Sequence, residues 1–365
     1  MTKMSSVYIK IVLLSLVLIL VLFSGCIEET EEYNEPTGSI EPTISERSYL
    51  LGIGFWTVNP SEAYVNESFN EFLEGAEVAY IQITDNILDE TIEPHVTARN
   101  DLWLEKAREN GLKTYLALEC LSGDRSTLRP LPNKKVKTFS DPEFREAYKA
   151  QAVRRAEKYK PDYLNLCVEI NMLPKIYEEI DDFVSLYNEM YDAVKEVSPD
   201  SKVFVSYQYE ILSGGDLSTT KKVQWDLIDK IGGKQDLIGI SSYPRIFNAP
   251  YDPNNLPKDY YKGVSEVTDK KIFFAEIGAY SSDKIIPPST QDNQAQFIVK
   301  FAESIEDMNV EAVMWIILRD LPPLPILKAA IPSQFFTLGL KGPNGENKES
   351  WLTWNKLKEI PLTEE

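Results

Sequence analysis

From residue 49 onward one pattern recurs eight times: a short, nearly unbroken apolar run, then a longer stretch with apolar positions at helical spacing. The runs fall at 49–57, 77–84, 112–119, 162–170, 202–209, 236–243, 271–278 and 311–318. Continuous apolar character suits parallel strands covered on both faces. Helix signals punctuate the segments between them. Pro60-Ser61-Glu62 opens the first helix and Gly75 closes it; the second ends at Glu109-Asn110-Gly111. Asp141-Pro142-Glu143 places an N-cap and a first-turn proline at the start of the third. The remaining helices are expected over 177–197, 219–231, 257–267, 290–307 and Trp351 to Ile360. Strand–helix alternation without consecutive strands means a parallel sheet. Eight units in this length fit an α/β fold with a single (β/α)8 TIM barrel over 49–362. No nucleotide-binding glycine fingerprint follows the first strand, which speaks against an open sheet. The long connections 120–140, 210–219, 244–256 and 319–350 follow strands and would form the catalytic rim.

Charge narrows the partners. The chain carries 38 Lys+Arg against 57 Asp+Glu, a net charge of −19. Such a surface offers no basic surplus to phosphates, so nucleic acid is not expected as a partner. An aromatic share of 11% suits a carbohydrate site, where rings pack on sugar C–H faces. A single histidine, His95, and the absence of a Cys/His cluster give no expectation of zinc.

The first 25 residues have the form of an export signal. Lys3 and Lys10 supply positive charge, and Ile11 to Phe23 is an apolar stretch of signal-peptide length. Ser24-Gly25-Cys26 resembles the lipobox of lipoproteins, in which the cysteine becomes the lipidated N-terminus. That resemblance implies lipidation at Cys26, an extracytoplasmic location and membrane anchoring. Residues 26–48, crowded with glutamates and punctuated by Pro36, Gly38 and Pro42, are expected to be a disordered acidic tether. Cys120 and Cys167 fall on neighbouring strands, but alternation places them on opposite faces, so two buried thiols are expected rather than a bridge.

The candidate chemistry sits at two strand ends. On the fourth strand, alternation groups Asn165, Cys167 and Glu169 on the inward face and Leu164, Leu166 and Val168 on the outward one. On the seventh, Ile272, Phe274 and Glu276 share the face assigned inward. Strand C-terminal ends carry the active sites of such barrels. Two carboxylates meeting there can hydrolyse a glycosidic bond, one as proton donor and the other as base or nucleophile. Other polar or aromatic residues at strand ends, namely Trp56, Gln82, Glu119, Glu210 and Asp320, are candidate sugar contacts.

The motifs around these acids resemble a known group. Glu169-Ile170-Asn171-Met172-Leu173 looks like the fourth-strand motif of clan A glycoside hydrolases, in particular the endo-β-1,4-galactanase family. Asp236 to Pro244, Phe274-Ala275-Glu276-Ile277-Gly278 and Ala312-Val313-Met314-Trp315 resemble its sixth, seventh and eighth strands. The resemblance implies Glu169 as acid/base, Glu276 as nucleophile, Tyr243 as hydrogen-bond partner of the nucleophile and Trp315 as the floor beneath the sugar. Asn171 enters as a further substrate contact, and no cofactor is implied. The chain departs from the pattern at Val168, where the family has asparagine, and it lacks an evident second-strand arginine, with Gln82 the nearest polar residue.

These features predict a retaining glycoside hydrolase acting on a β-linked oligo- or polysaccharide outside the membrane. The alternative on the same barrel is a catalytically impaired carbohydrate-binding lipoprotein. A two-lobed solute-binding protein is a third reading, disfavoured by the regular succession of strands and helices.

Overall fold

The computed structural model describes residues 36, 38–55, 61–83, 93–131, 134–215, 222–244, 252–285, 288–324, 328 and 332–363. The signal segment, Cys26 and Trp56 lie outside the described residues. Among those described, no helix is long and apolar enough to cross a membrane.

The strands are β1 (Leu50–Gly54), β2 (Val78–Ile83), β3 (Lys113–Leu118), β4 (Tyr163–Asn165), β5 (Lys202–Phe204), β6 (Ser206–Gln208), β7 (Ile238–Ser242), β8 (Ile272–Ile277) and β9 (Val310–Trp315). All pair in parallel, in the order β5-β4-β3-β2-β1-β9-β8-β7-β6. The two ends of that order are halves of one strand interrupted at Val205. Leu166 N donates to Phe204 O on one side and Asp236 N to Val203 O on the other, so the sheet closes as an eight-stranded barrel. Every expected strand is present.

Helices α1 (Glu62–Gly75), α2 (Glu93–Glu109), α3 (Pro142–Tyr159), α4 (Ile176–Val197), α5 (Tyr209–Leu212), α6 (Asp226–Ile231), α7 (Lys262–Ser265), α8 (Gln291–Ile305) and α9 (Glu349–Glu359) fill the connections. The Asp141 carboxylate accepts from Glu143 N and Phe144 N, so the N-cap of α3 forms as its sequence dictates. On α4, Ile176, Ile180, Phe183, Tyr187, Met190 and Val194 make a buried stripe at 3.6-residue spacing. Of the helices expected over 219–231 and 257–267, the described residues form only α6 and α7. The chain before α7 is taken up by a 3-10 turn (Pro253–Asn255), and Tyr261 is fully buried, so tertiary packing overrides helical periodicity there.

Two apolar layers result. The larger lies between strands and helices and includes Leu51, Ile81, Leu164, Trp103 and Phe183. The smaller fills the barrel with Val78, Tyr80, Tyr115, Tyr163, Phe204, Phe273 and Met314. The N-terminal pole is tied by charges, Lys113 to Asp162 at 2.7 Å and Lys202 and Lys271 to Glu311 at 2.5 and 3.6 Å. That leaves the C-terminal pole for chemistry.

Part of the expected tether belongs to the domain. Ile40 N donates to Thr353 Oγ1, Ile44 is buried, and Arg47 forms a two-pronged ion pair with Glu77 while donating to Ile360 O. The acidic composition is broken at Ile44 and Arg47, and those two residues have partners. Ile40, Ile44 and Arg47 therefore fasten this stretch to the barrel, while Glu41, Ser45 and Glu46 stay exposed.

Candidate active site

Glu169 and Glu276 both reach the C-terminal mouth, but neither does so by simple alternation. Strand β4 ends at Asn165. Leu166 and Cys167 then both turn to the helix-side layer, while Val168 drops into the barrel interior. Glu169 follows in the left-handed region at φ 52° and caps the 3-10 turn Ile170–Met172. A non-glycine residue there is strained, and such strain persists where the surroundings enforce it. Here Ser206 Oγ accepts from Glu169 N at 3.1 Å, and Asn165 Oδ1 accepts from Cys167 N at 3.1 Å. The expected inward face of Cys167 and outward face of Val168 are thus reversed.

That reversal also overturns the expectation of two thiols. Cys167 now lies on the same side as Cys120, and the two form a disulfide with Cα atoms 5.2 Å apart.

On β8, Phe273 and Ala275 face the interior, and Ile272 and Phe274 face the helices, opposite to the expectation. A bulge then intervenes. Register shifts between Ile240 and Ser241 on β7, so Phe274 pairs with Ile240 but Glu276 pairs with Ser241, leaving Ala275 as the extra residue. Ala275 and Glu276 therefore both point inward, and Ile277 returns to the helix side. Glu276 arrives where it was expected through a bulge.

The acids meet a compact polar set. Tyr80 on β2 donates its phenol to Glu276 Oε1 at 2.8 Å, and Tyr243, just past β7, donates to Oε2 at 2.9 Å. Arg125, in the loop after β3, donates Nε to Glu169 Oε2 at 3.0 Å and Nη1 to Glu119 Oε2. Gln82 donates to the other Glu119 oxygen. Arg125 sits at φ 59° in a turn organised by Asp124, whose Oδ1 accepts from Ser122 Oγ, Ser126 N and Ser126 Oγ. Glu119, Glu169 and Glu276 are all buried, so a single guanidinium faces three carboxylates in a nearly dry cleft.

Burial raises the Glu169 carboxyl above its ordinary value, with Arg125 opposing and Glu119 reinforcing the rise. Burial, and then the charge of Glu169, push Glu276 up to about 8 against Arg125 and the two phenols. The two glutamates thus interact electrostatically, each favouring the protonated form of the other. The phenols of Tyr80 and Tyr243 are driven well above their usual range, again chiefly by burial, so they stay protonated and act as donors.

Other expected contacts are placed elsewhere. Trp315 is fully buried, donates Nε1 to Leu338 O and packs edge-on against Trp354 in the helix-side layer. It offers no face to a sugar, because Trp315 pairs with the outward-facing Ile277 beyond the bulge. Asn171 is consumed in structure: its side chain donates to Gln208 O and Gln224 Oε1 and accepts from Gln208 N. Asp320 is held in a buried ion pair with Lys348 at 2.8 Å and accepts from Gly339 N. Gln82, Glu119 and Tyr243 do reach the site. Tyr80 and Arg125 were missed. Tyr80 shares a strand face with Gln82, a spacing that could have flagged it, whereas Arg125 has no local signal beyond a turn-like Ser-Gly-Asp-Arg-Ser segment.

No family sequence profile matches the chain, and curated proteins show no similarity to it. Solved structures do. An exo-β-1,4-mannosidase, Op5Man5 from an Opitutaceae bacterium, superposes with a TM-score of 0.65 at 16% identity over 90% of this chain and 62% of its own. The chain thus spans less than two thirds of that enzyme. A GH5_18 protein from Streptomyces cattleya in complex with GlcNAc gives 0.66 at 14% identity, covering 88% of this chain and 83% of its own. A Bifidobacterium dentium β-glucuronidase gives 0.54 at 12%, covering 86% and 46%. At such identities the likeness establishes the fold, a (β/α)8 barrel of the type used by these glycoside hydrolases.

Proposed function

We propose that the protein is a retaining glycoside hydrolase acting on a β-linked oligo- or polysaccharide. One observation carries this reading. Two interacting glutamates stand at the C-terminal ends of the fourth and seventh barrel strands, and one has both carboxylate oxygens gripped by phenols. Glu276 is the nucleophile: the phenol donors orient it and favour its charged form, so it can attack the anomeric carbon and form a glycosyl ester. Glu169 is the acid/base. It protonates the departing oxygen and then takes a proton from the attacking water. For the first step the proton must reside on Glu169 and Glu276 must be ionised. Gln82, Glu119 and Arg125 form a linked polar set beside the acids, and a sugar hydroxyl would compete for their mutual hydrogen bonds.

The β-linked substrates in the names of the structural neighbours support a β-glycoside, and the motif resemblance makes β-1,4-galactan the first polysaccharide to assay alongside β-mannosides. The signal-like start and Cys26 support action outside the membrane from a lipid anchor. Turnover on a panel of chromogenic β-glycosides and polysaccharides, with Glu276→Gln and Glu169→Gln as controls, tests the reading. Product anomers followed by NMR should retain configuration. Hydrolysis undiminished in Glu276→Gln would refute the assignment.

The second reading is carbohydrate binding without turnover. It is favoured by Arg125, whose ion pair with the acid/base opposes its protonation, and by Val168, which lies in the barrel core where it can offer no hydrogen bond. Calorimetric binding of a glycan without product after long incubation would select it.

A further inference from the structure

Glu210 is a carboxylate that the chemistry above does not use. It is completely buried at the start of α5, directly after β6. No lysine or arginine among the described residues pairs with it. Four donors converge on it instead. Oε1 accepts from Ser242 Oγ at 2.6 Å and from Tyr260 Oη at 3.3 Å. Oε2 accepts from Gln208 Nε2 at 2.5 Å and from the backbone N–H of Tyr243 at 3.3 Å. Tyr261 Oη shares a hydrogen bond with Ser242 Oγ at 2.8 Å, which fixes the serine from behind. Only an acceptor-only group satisfies four donors, so a glutamine at this position would leave two of them facing an NH2. Burying such a group without a cation is costly, and stability alone gives no reason for it.

What the four bonds hold is specific. Ser242 and Tyr243 follow directly on the register shift at Ile240/Ser241 that turns Glu276 into the barrel. Tyr243 is also the residue whose phenol grips Glu276 Oε2. From this geometry we infer that Glu210 is a positioning residue. It locks the bulged end of β7 and aims the Tyr243 hydroxyl at Glu276 Oε2. The inference rests on the reading of Glu276 as the nucleophile.

The groups facing Glu276 are Tyr80 from β2, Tyr115 from β3, Tyr243 from the end of β7, Glu169 from beyond β4 and Arg125 from the loop after β3. Only Tyr243 is in contact with Glu210, which makes a double-mutant cycle clean. The test titrates Glu276 by carboxyl-13C NMR in the wild type, Glu210→Gln, Tyr243→Phe and the double variant. Each single substitution is expected to raise the Glu276 pKa by roughly one unit, as loss of one hydrogen bond to the charged form requires, and the double variant should rise no further. An unmoved Glu276 in Glu210→Gln, or shifts that add in the double variant, would overturn the inference. If Glu210→Gln does not fold, Ser242→Ala removes one donor and is read in the same cycle by the same criteria. The titration needs no turnover. A wild type that cleaves no glycoside would end the glycosidase reading, while the cycle would still report on the link between Glu210 and Glu276.

Discussion

Replacing Arg125 by glutamine removes the one guanidinium shared by Glu119 and Glu169. Arg125 lies 3.0 Å from Glu169, and both side chains are largely buried. Two unit charges ~4 Å apart attract by about 4 kcal/mol at an effective dielectric of ~20. Converted wholly into a pKa change, that is about 3 units. The remaining exposure of the cleft screens it, so a rise of about 1–2 units in Glu169 is expected. The sign follows from its role. The acid/base must be protonated when the leaving oxygen departs, so activity falls as pH rises through its pKa, and a higher pKa moves the alkaline limb upward. Arg125 also lowers Glu276, so the acid limb should move up as well, though less, because no Arg125 bond to Glu276 exists. The assay is kcat/KM against pH for the wild type, Arg125→Gln and Arg125→Lys. Lysine keeps the charge and should hold the alkaline limb within about half a unit of wild type while losing the fork that spans both acids. Breaking such a buried pair costs about 3–5 kcal/mol of stability, and adding Glu119→Gln should restore part of it. An alkaline limb that stays put or moves down in Arg125→Gln would refute this electrostatic account.

Stability should also report on Glu276. Its carboxyl titrates near pH 8 in the folded protein against an ordinary value of 4.5, so the folded state holds a proton that the unfolded chain has released. Its contribution to stability therefore declines as pH rises through that window. The Tm advantage of Glu276→Gln over wild type should grow between pH 5 and 8, and a gap independent of pH would contradict the shift. Removing the disulfide with Cys120→Ser/Cys167→Ser opens a loop with a sequence separation of 47, which chain entropy sets at about 4 kcal/mol. Denaturant titration checks that value, and a midpoint equal to wild type would argue that the bridge is not formed. Lys348→Met removes the cation paired with the buried Asp320 carboxylate, so a loss of about 3–5 kcal/mol is expected, recovered in part by adding Asp320→Asn. A fully additive pair of losses would show that the two residues do not interact.

How much of this was legible depends on the range of the deciding force. Hydrophobic periodicity and capping signals are local, and they located every barrel strand, both ends of α1, the end of α2 and the start of α3. The helix around α7 was overestimated because the packing of Tyr261 and its neighbours replaced helical structure there. Glu169 and Glu276 could be placed at the mouth because strand ends are local as well. Their orientation could not, because strict alternation fails at the turn after Asn165 and at the bulge at Ala275. Both departures are set by hydrogen bonds to adjoining strands.

The amino-acid order alone therefore determined the eightfold alternation, the parallel barrel and the two acids at its open end. Each follows from residues within a few positions of one another. Only the closed structure decided that Arg125 reaches Glu169 from another loop, that Cys120 meets Cys167, that Trp315 is core and that Glu210 stands behind Tyr243. These are contacts between distant parts of the chain, and the pairing of neighbouring strands, which no local pattern encodes, brings them together.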